Sequence, residues 1–316
     1  MTFMTGQSPT RQLSLRGAVR KIALSSLRVL ALVAGGAVLW QHRRYLRVRR
    51  AAVQDHQRIF HSPGAFHVLA FLATTPGADV VEEVRALRRA TRGSQAAWIY
   101  AGKAVVAAEH SAQIGEKDWS AIVLLQYPSR AAYDLHVRSD EMRAALGGFT
   151  EVYLHGFRRR PVANAMIPQV LLAIRAGQIV GGRASHLPFK RAESQNVLPQ
   201  AEALARRLGQ ETEFGADAVV VVNLLKHGTR EQRAAMRRYS APMFGAMAEG
   251  GYGPVHVGRA VRIERDYDFD LVALVYYPGV EFFVDMAQSD FMKDIYAGKQ
   301  LGDTQAVVTV PILDRL

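Results

Sequence analysis

Three segments of this chain are apolar at consecutive positions: Ala121–Tyr127 (AIVLLQY), Ala218–Leu225 (AVVVVNLL) and Leu271–Tyr277 (LVALVYY). Each is short, rich in β-branched or aromatic residues, and bounded by turn formers, so each reads as a strand. A strand with one face in water alternates apolar and polar residues. These do not, so both of their faces must be buried. Helices can cover one face of such a sheet, and something else has to cover the other.

The pattern around these strands occurs twice. In the first copy, strands are expected at 66–74, 97–110, 119–127 and 149–158, with helices at 77–92 and 129–146. In the second, strands are expected at 218–226, 255–263, 271–277 and 304–312, with helices at 229–249 and 279–296. Each order is β-α-β-β-α-β, the ferredoxin-like arrangement of an α+β fold. The copies align at an offset of 150, with Asp118/Asp268, Leu124/Leu274, Tyr127/Tyr277, Pro128/Pro278, Ser139/Ser289 and Asp140/Asp290 identical. Two helices per copy cover one sheet face. The other is covered most economically by the other copy, sheet to sheet, in one pseudo-symmetric barrel. The alternative is a homo-oligomer in which each copy meets its counterpart in a second chain.

The second copy resembles the dimeric α/β-barrel superfamily, and within it an uncharacterised bacterial branch. The matching marks are Asn223-Leu224-Leu225-Lys226, Tyr239, Gly250-Gly251, Gly258, Tyr277-Pro278, Ser289-Asp290, and Lys299 with Leu301 and Asp303. Two positions depart from that branch: Gly279 stands where it has serine, and Lys299 where it has arginine. The superfamily includes haem-degrading and quinone-forming monooxygenases, stress-responsive proteins and many of unknown role. The resemblance therefore implies a fold more firmly than an activity.

Charge narrows the partners. The net charge is +12. Residues 1–60 hold eleven Lys/Arg and one acid, Asp55, while the rest holds 29 Lys/Arg and 27 Asp/Glu. The basic excess thus sits in the N-terminal segment, and the globular part lacks the electrostatic footprint of a nucleic-acid binder. Residues 22–40 (IALSSLRVLALVAGGAVLW) are apolar and flanked by arginines. As a helix they span about 28 Å, close to the hydrocarbon thickness of a bilayer. A single-pass anchor is expected, with membrane lipid as a partner and the bulk of the chain on the cytoplasmic side. Arg28 interrupts the run, which keeps open a helix lying on the membrane surface; a cleaved signal peptide is the third reading. The expected organisation is a basic tail (1–21), an anchor (22–40), a basic linker helix (41–60), a first barrel unit (61–160), a helical insertion (161–216) and a second barrel unit (217–316). Within the insertion, 167–177 and 198–209 read as helices; 167–177 packs on a domain or makes a second membrane contact.

The chain has no cysteine, so thiolate metal sites and cysteine nucleophiles are excluded. It has no HExxH, GxSxG, phosphate loop or paired-carboxylate spacing, and no cofactor or metal is implied. Candidate ligand-binding residues are Asn223, Lys226, Tyr239, His256, Tyr277 and Lys299. Asn223 leads, because an amide inside an apolar strand must find partners or cost stability. Strict alternation places Asn223 and Lys226 on opposite faces. The expected cavity lies between sheet and helices of the second copy, near Phe282, Phe283, Met286 and Phe291. In the first copy, Phe71 and Thr74 stand for Asn223 and Lys226, so that copy is expected to be the structural partner. Each candidate also has a plain structural reading: a loop-pinning amide, or packed aromatics with satisfied tips. The function expected is binding of a small apolar molecule at a membrane, with or without a weak oxidoreductase activity. The alternative is a non-catalytic interaction or scaffold module.

Overall fold

A computed structural model of the chain describes residues 24–33, 35–36, 40, 43–44, 47, 61–183, 185–193, 199–211, 218–263, 267–296 and 298–316. The chain divides into two units, Met1–Arg47 and Val48–Leu316. In the first, Leu24–Val33 is a short apolar helix, α1, with exposed side chains. Most of the expected linker helix at 41–60 lies outside the described residues.

The second unit is a closed barrel of eight strands. The first half runs β1 (Phe66–Ala73), α2 (Val80–Ala90), β2 (Ala97–Glu109), β3 (Ala121–Tyr127), α3 (Arg130–Val137), α4 (Asp140–Leu146) and β4 (Glu151–Arg159). Two helices follow, α5 (Pro161–Val180) and α6 (Pro199–Glu211). The second half runs β5 (Val219–Lys226), α7 (Arg230–Gly250), β6 (Gly253–Val261), β7 (Leu271–Tyr277), α8 (Val280–Ala287), α9 (Asp290–Tyr296) and β8 (Asp303–Pro311). The element order of one half is thus repeated in the other. The single helix expected at 129–146 is broken in two, as is the one expected at 279–296. The break has a local cause: the hydroxyls of Ser139 and Ser289 accept hydrogen bonds from the Met142 and Met292 amides, each capping a new helix at 3.2 Å.

Strand order around the barrel is β1-β3-β2-β8-β5-β7-β6-β4. All pairs are antiparallel, and the halves join along two seams, β2 with β8 and β4 with β6. The sheets therefore do face one another, as expected, but they are also hydrogen-bonded edge to edge within one chain. Closure leaves no sheet edge, so burying the sheets does not require a second chain. The β4–β6 seam depends on Gly258: a Cβ there would meet the Arg158 carbonyl oxygen at 2.4 Å. At the end of α7, Gly251 takes φ +69° and its amide closes on the Met247 carbonyl, a left-handed helix end that glycine adopts without strain.

Alternation along the paired strands sorts the side chains. Leu69, Phe71, Ile122, Leu124, Tyr153, Phe157, Val222, Leu224, Val272, Leu274 and Val307 point into the barrel and are almost wholly buried. On the outer face of the first half, Val68, Ala70, Leu72, Val123, Leu125 and Leu154 pack under Val84, Leu87, Tyr133 and Met142 in a separate core. Burial on both faces is what the unbroken apolar strands demanded.

Candidate functional site

The outer face of the second half is packed differently from that of the first. Asn223 of β5 pairs with Ala273 of β7 on one side and Ala306 of β8 on the other. Paired residues point to the same side of a sheet, so this row of short side chains faces outward together. In the first half the corresponding row is Ala70, Val123 and Leu154, which carries more bulk and fills the space under its helices. Over the Ala306–Asn223–Ala273 row a cavity of about 390 Å³ remains. α7, α8 and α9 roof it, and α6 and the end of β2 close its side. A volume of this size suits a small organic ligand.

The walls are mainly apolar: Val221, Leu225, Val275, Leu204, Phe244 and Phe283 contribute, with Met236, Met243, Met247, Met286 and Met292. Five of the chain's nine methionines thus gather here. Thioether side chains are flexible and polarisable, so they fit themselves to irregular apolar shapes.

Few polar groups break this surface. The Asn223 Nδ2 donates to the carbonyls of Val221 and Ala273, both at 3.1 Å. Those two acceptors fix the amide's orientation, because a flipped amide would set oxygen against oxygen. Oδ1 is thereby left facing the cavity with no donor among the described residues. Tyr239 and Tyr277 line the same space, and neither hydroxyl has a hydrogen-bond partner among the described residues. Burial raises the pKa of both phenols well above the ordinary value. The Glu109 and Tyr296 charges add to this at Tyr239, and those of Tyr239 and Tyr252 at Tyr277. Both are therefore neutral at physiological pH and able to donate. Tyr277 is held by ring contacts with Phe283 and Tyr252, at 4.7 and 5.1 Å between centroids. At the rim, Lys299 pairs with Glu109, and Lys299 also lies 5.9 Å from the Tyr296 ring centroid.

Four of the six residues singled out in the sequence, Asn223, Tyr239, Tyr277 and Lys299, therefore share one cavity. Two do not. Lys226 points to the opposite face, as strand alternation requires, and is paired with Asp268, which also holds Arg262 at 2.7 Å. His256 is buried inside the barrel, since the bulge between Pro254 and His256 turns Pro254 toward the cavity and the histidine inward. Of the apolar residues expected nearby, Phe283 and Met286 line the cavity. Phe282 and Phe291 instead pack around Phe189, at 5.4 and 5.7 Å between centroids. The correspondence with the first half is also corrected: register sets Ala70, not Phe71, at the place of Asn223, and Ala73, not Thr74, at that of Lys226. Phe71 points into the barrel between Trp119 and Tyr153, each 5.6 Å away. Glu109 was not found from sequence, because its partner Lys299 is 190 residues distant and no local pattern links them.

No protein-family profile matches the chain, and no curated protein matches it in sequence. Among solved structures, similar ones include an anthrone oxidase-like protein (9% identity, TM-score 0.42, covering 79% of this chain and 92% of that one). A mutant chlorite dismutase from Candidatus Nitrospira defluvii is another (8%, 0.41, 84% and 97%). A third is a proposed monooxygenase from Lactobacillus acidophilus NCFM (9%, 0.37, 78% and 94%). At such identities and TM-scores no residue or reaction is carried over to this chain.

Proposed function

We propose that this chain is a membrane-anchored protein that binds a small, largely apolar molecule in the cavity of its second half, through a group that donates a hydrogen bond to Asn223. The observation that carries the proposal is the Asn223 amide. Its nitrogen is committed to two backbone carbonyls, and its oxygen, a strong acceptor, is turned into an apolar cavity that two protonated phenols also line. A hydroxyl or N–H on an otherwise apolar ligand would supply the donor that this acceptor lacks, a bond of about 1 kcal/mol net, and could in turn accept from Tyr239 or Tyr277. The methionine walls support a ligand defined by bulk apolarity more than by detailed shape. Support for the anchor comes from the arginine-flanked apolar run 22–40, of which Leu24–Val33 is helical and exposed. The proposal stops at binding. Among the described residues no three His, Asp or Glu side chains gather as a metal site, and the cavity lining offers no nucleophile paired with a base.

1-Naphthol, an aromatic bicycle with one O–H, is a suitable probe, with naphthalene as its donor-free counterpart. We expect 1-naphthol to bind the full-length protein, and Asn223→Ala to weaken it by about 1–1.5 kcal/mol, roughly tenfold, for one lost buried hydrogen bond. Naphthalene affinity should not fall. Calorimetric titration of both compounds checks this. Equal loss for the two, or none for either, would assign Asn223 to pinning the β5–β7 pair and nothing more.

A further inference from the structure

α5 is the longer helix of the region between the halves, and its solvent side is unusual. Val162, Met166, Val170 and Val180 are 70, 50, 47 and 88% exposed. With Ala163, Ala173, Ala176 and Gly177, also exposed, they form one continuous stripe at helical spacing. The stripe carries no charge along twenty residues, or about 30 Å of helix. The helix's one ionisable residue, Arg175, lies off the stripe and bonds to Gln178. Among the described residues it is the helix long and apolar enough to cross a membrane, yet it is tied to the barrel along its length. The Asn164 amide exchanges two hydrogen bonds with the backbone of Val257, at 2.7 and 2.8 Å. Gln178 donates to the Gly245 carbonyl of α7 at 3.0 Å. Such a helix is held on the protein surface with an apolar face turned outward, and a water-facing helix of a globular domain is charged there.

The charge around the stripe says what covers it. Between Arg158 and Ala192 the sequence has no acid, and five of its Lys/Arg, Arg158, Arg160, Arg183, Lys190 and Arg191, are exposed. Arg160 and Arg183 stand exposed at the two ends of α5. Apolar surface framed by cations is complementary to a bilayer with anionic head groups. One contact links this face to the cavity. Phe244, which lines the cavity, is 38% exposed, and its neighbour Gly245 is the residue that Gln178 of α5 holds.

We infer that the outward face of α5, together with Phe244 of α7, lies in the surface of an anionic lipid bilayer and opens the second-half cavity toward the membrane, so that its apolar ligand enters from lipid. The contact stands on the surface of α5 alone; the entry route rests on the function proposed above. The cysteine-free chain makes the contact testable on the full-length protein. A nitroxide is attached at Val162→Cys or Val170→Cys, and the protein is reconstituted into vesicles of phosphatidylcholine and phosphatidylglycerol. Collision with oxygen, which concentrates in lipid, is compared with collision with a water-soluble nickel chelate. Leu135→Cys, on α3 of the first half and 79% exposed, gives the aqueous reference, and Leu30→Cys reports separately on the N-terminal anchor. We expect the oxygen-to-nickel ratio at both α5 sites to exceed that at position 135 several-fold. A ratio equal to the reference would overturn the inference. So would protection from both reagents, which would mean that protein, a second copy or the N-terminal helix, covers the stripe. A lipid-exposed label at position 30 with aqueous labels on α5 would leave the anchor standing and remove this contact alone. Should the labels report lipid while 1-naphthol fails to bind, the membrane contact stands and the ligand reading falls.

Discussion

Val222→Asp should unfold the second unit or cost it more than about 4 kcal/mol, while the neighbouring Val221→Asp should cost roughly half as much. Val222 is fully buried and points into the barrel, where its pairing partners are Leu274 and Val307. Those partners are apolar and offer a carboxylate no hydrogen bond, so the group would have to be protonated or the barrel opened. Val221 points the other way, into the cavity wall, where space for solvent lets a carboxylate keep part of its hydration. Chemical denaturation of the two variants beside the parent protein measures the difference. Mild and equal losses would mean that the interior face of β5 is open to water, which is incompatible with a closed barrel.

Acid should destabilise the protein well above the range in which carboxylates titrate. His67 and His155 are both buried. Burial is the main force lowering their pKa, to about 2 for His67 and about 4 for His155. At His67 the charges of His61, Arg159 and His256 lower it further. The folded chain therefore holds both rings neutral, whereas in the unfolded chain each takes up a proton near pH 6.5. Folded pKa values below unfolded ones mean that the unfolded state binds more protons as pH falls. Stability is thus complete above about pH 6.5 and declines below it. Each histidine contributes about 1.4 kcal/mol per pH unit once the pH is well below 6.5, and about half that slope at pH 6.5 itself, so the two together should remove about 3 kcal/mol between pH 6.5 and pH 5. Asp268 and Asp303 have depressed pKa values and release their contributions only below that window. The shift at Asp268 comes chiefly from its bond to Lys226; at Asp303 burial opposes the shift and is outweighed by the hydrogen bonds from Ser111, Gln113, Ala112 and Thr304 together. A denaturation midpoint that stays constant from pH 7 to pH 5 would show that these rings are solvated in the folded state.

The fold was largely legible because its strongest demand is local. Strands such as AVVVVNLL cannot face water on either side, and eight strands in two identical orders of elements leave few architectures. Element boundaries failed where a single side chain decides them: Ser139 and Ser289 cut two helices that periodicity alone runs together. The site was legible in part. Asn223 stands out as an amide in an apolar strand, and Tyr277 as a polar tip at a strand end. What makes the cavity, however, is missing bulk at Ala273 and Ala306, and an alanine in a strand signals nothing until register places it beside Asn223. Register also misled. The sequence reading set Phe71 at the place of Asn223, one residue from the true correspondence, and in a sheet one residue exchanges the inner and outer faces. His256 was lost to the same cause, since a bulge is invisible in the sequence and reverses the side to which the residues beyond it point.

The central claim, a ligand cavity on the outer face of the second half, is tested most directly through its methionines. In full-length protein carrying ¹³C-methyl methionine, the signals of Met236, Met243, Met247, Met286 and Met292 report on the cavity wall. Met142 lies in the outer core of the first half and Met166 on the exposed face of α5. On titration with 1-naphthol, we expect the five cavity methyls to shift together and saturably, and Met142 to stay in place. Saturable shifts at Met142 with the five unmoved, or no saturable shift at any of the five, would contradict the account.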